Sequence, residues 1–169
     1  MTRQDRNPPP GPVDHPERQR LVRGLHALGL EDGAGMADRL LEYTALVRKW
    51  TRSYNLVAPG DRDVLIGRHV LDSLSIHSFV GSGAVLDIGS GAGFPGVPLA
   101  IARPELEVTV LDASGKKARF LRHAQRTLEL GNLEVVNARA EAYDTERAFE
   151  SIVSRAFSSL ADFAGAVRH

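Results

Sequence analysis

Residues 83–99 read GAVLDIGSGAGFPGVPL, a short, largely apolar run over Ala84–Ile88 that passes at once into a segment with glycine at 89, 91, 93 and 96. Glycine loses more backbone freedom on folding than any other residue. A chain concentrates it where the backbone must turn left-handed, or where a neighbour comes too close for a Cβ. Here the spacing predicts close approach by a ligand. Strand, glycine loop, helix is the opening of a nucleotide-type βαβ unit, whose loop N–H groups and helix N-terminus favour a negatively charged group. This opening commits the chain to a parallel sheet covered by helices.

The residues that follow keep to that pattern. A strand over Glu107–Leu111, a basic helix over 115–130, a strand over Leu133–Val136 and a strand over Ser151–Ser154 alternate as an α/β domain requires. Upstream, residues 16–80 are helical in period. Leu21, Val22, Leu25 and Leu28 form one stripe. Met36, Leu40, Tyr43, Val47 and Trp50 form a longer one, and Ile66, Val70, Leu71 and Leu74 a third, with Asp61 placed to cap it. Residues 1–14 are rich in proline and nearly devoid of apolar side chains, which predicts a disordered tail. The Asn7-Pro8-Pro9 within them follows no strand and carries no catalytic reading. The expected organisation is a tail over 1–14, a helical extension over 15–80 and an α/β domain over 81–169. Four strands are few for a doubly wound sheet, and the fourth would stand at an edge. A C-terminally truncated chain of marginal stability is therefore expected.

Composition narrows the chemistry. With 43% hydrophobic residues in 169, the chain can bury a core for one domain. Basic and acidic residues balance at 21 each, so polyanion binding must come from local patches. There is no cysteine, which removes disulfides, thiolate metal sites and thiol nucleophiles and fits a reducing cytoplasm. No apolar run reaches the length of a membrane span. A cytoplasmic protein without a metal or a membrane partner is expected.

A GxGxxG match alone says little. Two acids sharpen it. Asp87 lies on the strand just before the loop, where a dinucleotide site needs none but a ligand with an ammonium beside a carboxylate does. The methionine end of S-adenosylmethionine has both. Asp112 ends the next strand, where a carboxylate can accept from both hydroxyls of a ribose. The loop glycines Gly89, Gly91 and Gly93, with Asp87 and Asp112, are thus candidate S-adenosylmethionine contacts. The competing readings are a plain strand-to-helix turn with a capping aspartate, and a non-catalytic NAD-type binding module.

Methyl transfer from a sulfonium is an in-line displacement in which positioning supplies much of the acceleration. Carbon-5 of a pyrimidine needs an attacking thiolate, and the chain has none. Exocyclic amines usually call for an Asn/Asp/Ser-Pro-Pro-aromatic motif after the fourth strand, where Ser154-Arg155-Ala156-Phe157 stands instead. An acceptor with a free lone pair, such as guanine N7, needs no base. No catalytic acid or base is assigned. Arg155, always charged, can position but cannot take a proton. Lys116, Arg119, Arg122 and Arg126 lie on the basic helix, within a stretch that holds no acid before Glu129. Arg48, Lys49 and Arg52 flank Trp50 and Tyr54, and Arg68 and His69 lie further on. Basic groups beside aromatics suit RNA. An ordinary solvated face explains them equally well.

Taken together, these blocks resemble the RsmG (GidB) family of bacterial 16S rRNA methyltransferases. The blocks are Lys49-Trp50-Thr51-Arg52-Ser53-Tyr54-Asn55-Leu56, Arg68-His69-Val70-Leu71-Asp72-Ser73, the glycine loop with Phe94-Pro95-Gly96-Val97-Pro98-Leu99, Leu111-Asp112 with Lys116-Lys117-Ala118-Arg119-Phe120-Leu121, and Ser154-Arg155-Ala156-Phe157. The resemblance implies a Rossmann-like class I methyltransferase acting on 16S rRNA or the small ribosomal subunit, at guanine N7 in the 530 loop, with S-adenosylmethionine as donor; a monomer is expected. It implies cofactor contacts at Gly89, Phe94, Ala140, Glu141 and Arg155. Tyr54, beside the basic residues, and Asn55 next to it are counted among the candidate RNA contacts. Thr51 departs from the family's usual Asn, and Glu150 from its usual Asp.

Overall fold

The computed structural model describes residues 16–155 apart from Ala34, Arg62 and Asp63; the tail expected over 1–14 lies outside the described residues. Helix α1 spans Pro16–Ala27 and buries Leu21 and Leu25, one helical turn apart. Helix α2 spans Met36–Tyr54 and buries Leu40, Tyr43 and Val47 on one stripe, as their spacing predicts. Asp32 closes the start of α2. Its Oδ1 accepts the Ala37 N–H at 2.8 Å, while Oδ2 pairs with Arg18 of α1 at 3.0 Å. Asn55 ends α2 in the left-handed conformation (φ 50°), with its N–H on the Thr51 carbonyl at 3.1 Å.

The third helical segment differs from its expected form. It is a π-helical stretch, Leu65–Leu71, that tightens into the single α-turn α3, Asp72–Leu74. Leu65, Ile66 and Val70 face the core from it. Their spacing fits a wide turn as well as a regular one, so sequence periodicity could not separate the two. Asp61 does not cap this segment. It closes a 3-10 turn, Pro59–Asp61, and turns its carboxylate toward Arg68 and His69.

Four parallel strands follow: β1 (Ala84–Ile88), β2 (Glu107–Leu111), β3 (Leu133–Val136) and β4 (Ser151–Ser154), in the spatial order β3-β2-β1-β4. Strand β1 is central, with Asp87 opposite Val110 on one side and Val153 on the other. Covered on both faces, β1 reads as the near-continuous apolar run of a buried parallel strand. Helices α4 (Gly96–Ala102) and α5 (Gly115–Thr127) pack against the face that carries Val85, Val108 and Val110. The basic helix thus stops short of residue 130. The same cluster takes in Leu21, Leu40 and Val47, so the N-terminal helices share one core with α4 and α5. On the other face Leu86, Ile88 and Leu111 pack with Tyr143, Phe149 and Ile152.

Candidate active site

All strands of a parallel sheet end at one edge, and a crevice opens where chain order reverses. Here the reversal is at β1, with β2 and β3 on one side and β4 on the other. The loop after β1 and the residue after β4, Arg155, therefore leave the sheet at neighbouring positions and diverge.

The loop is held by its own backbone. Gly89 and Ser90 N–H groups both donate to the Leu111 carbonyl, at 2.8 and 3.1 Å, and the Ser90 hydroxyl donates to the Asp87 carbonyl at 2.8 Å. Asp112 joins three elements. Its Oδ2 accepts the Gly91 N–H at 2.9 Å and its Oδ1 accepts the Ser114 N–H at 2.8 Å at the start of α5. Lys117 Nζ lies 3.7 Å from Oδ2. The capping reading of Asp112 is therefore realised, and each of its oxygens keeps lone-pair capacity for a further donor.

Asp87 is fully buried. Its Oδ2 accepts the Gly96 N–H at 2.9 Å, and its Oδ1 has no hydrogen-bond partner among the described residues. Burial pushes this carboxyl up to about 7, with nearby Asp112 adding to the effect and the Gly96 N–H and Ser90 opposing it.

The glycines divide in purpose. Gly89 and Gly91 adopt φ of +71° and +60°, and a Cβ on Gly89 would meet nothing within 4 Å. They supply a left-handed backbone in front of open space. Gly96 is different, since a Cβ there would fall 2.5 Å from Val110 Cγ1 and 2.8 Å from Asp87 Oδ2. At Gly93 it would fall 2.7 Å from the Tyr43 hydroxyl. At those two positions the close neighbour is the protein itself. This corrects the expectation that a ligand accounts for the whole run.

Phe94 sits between two rings from the N-terminal helices, Tyr43 at 5.4 Å and His69 at 5.1 Å. The Tyr43 hydroxyl donates to the Ala92 carbonyl, which pins the loop to α2. Burial, and then Asp87, raise the Tyr43 hydroxyl well above its usual range, so it stays a donor. Arg155 reaches back to the π-helical stretch. It donates to His69 Nδ1 at 3.1 Å and to the Arg68 carbonyl at 2.8 Å, and lies 3.2 Å from Asp72 Oδ2.

The other sequence candidates are spread around this edge. Ala140 opens a 3-10 turn after β3 and packs beside Leu86, Ile88 and Leu111; the next side chain, Glu141, is exposed. Lys116, Arg119, Arg122 and Arg126 all point outward from α5, while Ala118, Phe120, Leu121 and Ala124 face inward. Trp50 stacks on Tyr54 at 5.0 Å and lies 5.0 Å from His123, so the aromatic pair joins α2 to α5. Lys49, Arg52, Asn55 and Arg68 are exposed; Arg68 pairs with Asp61 at 2.7 Å. Arg48 is half-buried and pairs with Glu17 of α1 through hydrogen bonds of 3.0 and 2.5 Å. His69 does not fit the surface contact expected of it. Its side chain is 12% exposed and occupied by Asp61, Arg155 and Phe94. Sequence reasoning missed Tyr43, Ser90 and Asp61 as parts of the site. Tyr43 showed itself only as a core-facing residue, and nothing local marked its hydroxyl.

The arrangement suits a ligand that brings an ammonium to Asp87. Asp87 Oδ1 is a buried acceptor without a donor, and the loop in front of it offers room at Gly89. Among the described residues no group of three or more His, Asp or Glu could hold a metal.

The profile of the family described as GidB, rRNA small subunit methyltransferase G, matches residues 36–169. The chain belongs to this family. A curated relative from Pseudomonas aeruginosa, named ribosomal RNA small subunit methyltransferase G, is 52% identical over 150 residues, covering 88% of this chain and 70% of the relative. Relatives of the same name from Pseudomonas syringae and Methylobacillus flagellatus are each 46% identical, over 89% and 90% of this chain and 71% and 74% of their own lengths. The family profile takes in the glycine loop, both acids and Arg155, together with α2 and the π-helical stretch.

Proposed function

We propose that this chain transfers a methyl group from S-adenosylmethionine to N7 of a guanosine in the 530 loop of 16S rRNA, as a cytoplasmic monomer working on the small ribosomal subunit. The observation that carries the reading is the orphaned, buried Asp87 Oδ1 at the foot of the glycine loop of a GidB-family chain. Asp87 receives the donor's ammonium. Gly89 and Gly91 let the donor lie against the backbone, while Gly93 lets the loop close on Tyr43. Asp112, already holding Gly91 and Ser114, accepts from the ribose hydroxyls. Phe94, Ala140 and Glu141 line the remaining wall, and Arg155 guards the side toward the acceptor.

The donor supplies a methyl group already activated on a sulfonium. Guanine N7 offers a lone pair and gives up no proton, so this chain's residues need only align the two and exclude water. Guanine N7 lies in the deep, narrow major groove of A-form RNA, so the base must be presented from a loop or an opened helix. The exposed Lys116, Arg119, Arg122 and Arg126 of α5, with Lys49, Arg52 and Arg68, offer the phosphate contacts, and Tyr54 and Asn55 lie at the same end of α2. The helical extension over 15–80 and the Rossmann-like unit over 81–169 act as one body in this reading.

The test pairs binding with transfer. S-adenosylhomocysteine should bind in calorimetry and NAD should not. Asp87→Ala should weaken that binding by about 10- to 100-fold, the range of a lost charge-assisted hydrogen bond. Labelled methyl should appear at guanine N7 of small subunits that lack the mark. Binding of NAD in preference to S-adenosylhomocysteine would replace this reading with a dinucleotide module. Methyl found at a pyrimidine carbon would overturn the acceptor.

A further inference from the structure

Arg155 is held by a side chain on a distant element. His69 Nδ1 lies 3.1 Å from an Arg155 Nη, and a guanidinium has no acceptor. Nδ1 must therefore present a lone pair, and the single proton of the neutral ring must sit on Nε2. That nitrogen is 3.2 Å from Asp61 Oδ2, an approach outside straight hydrogen-bond geometry but close enough for the carboxylate to favour a proton there. Asp61 is fixed in turn by Arg68 at 2.7 Å. The ring lies at 5.1 Å from Phe94, so the same imidazole touches the glycine loop and the residue after β4. His69 sits in the π-helical stretch, a wide turn that sequences use where a side chain must be aimed out of register.

We propose that His69 is the positioning residue for Arg155: the neutral ring, its proton directed at Asp61, holds the guanidinium beside the glycine loop, and protonation of the ring releases it. On protonation Nδ1 becomes a donor facing a donor, and two positive charges meet at hydrogen-bond distance. The charged groups facing the ring among the described residues are Arg155 from the end of β4, Asp61 from the 3-10 turn and Arg68 from its own stretch. Burial lowers the His69 pKa below 6.5, Arg155 and Arg68 lower it further, and Asp61 opposes them. The neutral form is therefore kept at neutral pH, and release belongs to the acid side of 6.5. Arg155 then keeps the Arg68 carbonyl and Asp72, which is 58% exposed and a weak tether. The consequence for methyl transfer rests on the function proposed above; the contact itself does not.

Nitrogen-resolved NMR on the whole chain tests this without turnover. His69, identified by loss of its signals in His69→Asn, should show the Nε2–H tautomer and titrate below 6.5. Arg155→Gln should raise that midpoint and Asp61→Asn should lower it. The Arg155 guanidinium N–H signals should be resolved near about pH 7.5 and collapse as His69 takes its proton. In His69→Asn, where an amide oxygen replaces Nδ1 as acceptor, they should persist to about pH 5. At saturating donor, the acid limb of methyl transfer should follow the His69 midpoint and vanish in His69→Asn. An Nδ1–H tautomer, or guanidinium signals indifferent to His69 titration, would overturn the proposal. Absence of methyl transfer in every form, with the NMR behaviour intact, would instead remove the proposed function and leave the positioning role.

Discussion

Asp87 carries the largest electrostatic cost at this edge, a fully buried carboxyl raised to about 7. An unfolded chain releases that proton near 3.8, while the folded chain retains it to about 7. The unfolded state thus binds fewer protons in between, and folding stability falls as pH rises across that window. The loss is on the order of a few kcal/mol for a group so completely buried. Thermal melts of the free protein should therefore move down between about pH 4 and pH 7, and Asp87→Asn should flatten that slope. An ammonium placed on Oδ1 reverses the preference. Binding of S-adenosylhomocysteine near pH 6 should then release up to about one proton, seen as a dependence of calorimetric enthalpy on the buffer's ionisation heat. Equal enthalpies across buffers would sink the ammonium contact.

The glycine loop separates folding from recognition. A Cβ at Gly93 would be 2.6 Å from Val97 Cγ2 and 2.8 Å from Leu121 Cδ2, on a backbone at φ +96°. Gly93→Ala should cost about 1–3 kcal/mol, through overpacking added to backbone strain. At Gly89 a Cβ has free space and only the strain of φ +71° to meet, about 1 kcal/mol. Gly89→Ala should lower the melting temperature less than Gly93→Ala, yet weaken S-adenosylhomocysteine more for each degree lost. The reverse ranking in melts and calorimetry would mean that the loop's packing has been misassigned. The loop itself was legible in the sequence because strand, turn and helix follow within a few residues. The π-helical stretch was not, because Leu65, Ile66 and Val70, four and five residues apart, fit a wide turn as well as a regular one.

At the scale of the molecule, the N-terminal helices are part of the core. Leu21, Leu25 and Leu40 are fully buried in the cluster that also contains Val97, Phe120 and Leu121. Leu40→Ala should cost about 2–5 kcal/mol, as for other fully buried leucines. Circular dichroism should show that loss as a shift of one transition for the whole chain, because helix and sheet share the surface being uncovered. Two separated transitions would instead make the extension over 15–80 an independent unit. No helix among the described residues is long and apolar enough to cross a membrane.

What the sequence determined was local. Ala84–Ile88, the loop and the alternating elements after it announced a parallel sheet, because strand period, glycine spacing and helix period are each written within a few residues. Asp87 and Asp112 stood out because their places relative to the strand ends are fixed by chain order. What the tertiary structure decided was which distant groups meet. The Tyr43 hydroxyl finds a carbonyl 49 residues away at Ala92, and His69 finds a guanidinium 86 residues away at Arg155. Only the fold turned His69 from a surface candidate into an interior one. A side chain's partner depends on how whole elements stack, and that stacking is set by the burial of apolar faces, which are indifferent to the polar atom at the tip of any one residue.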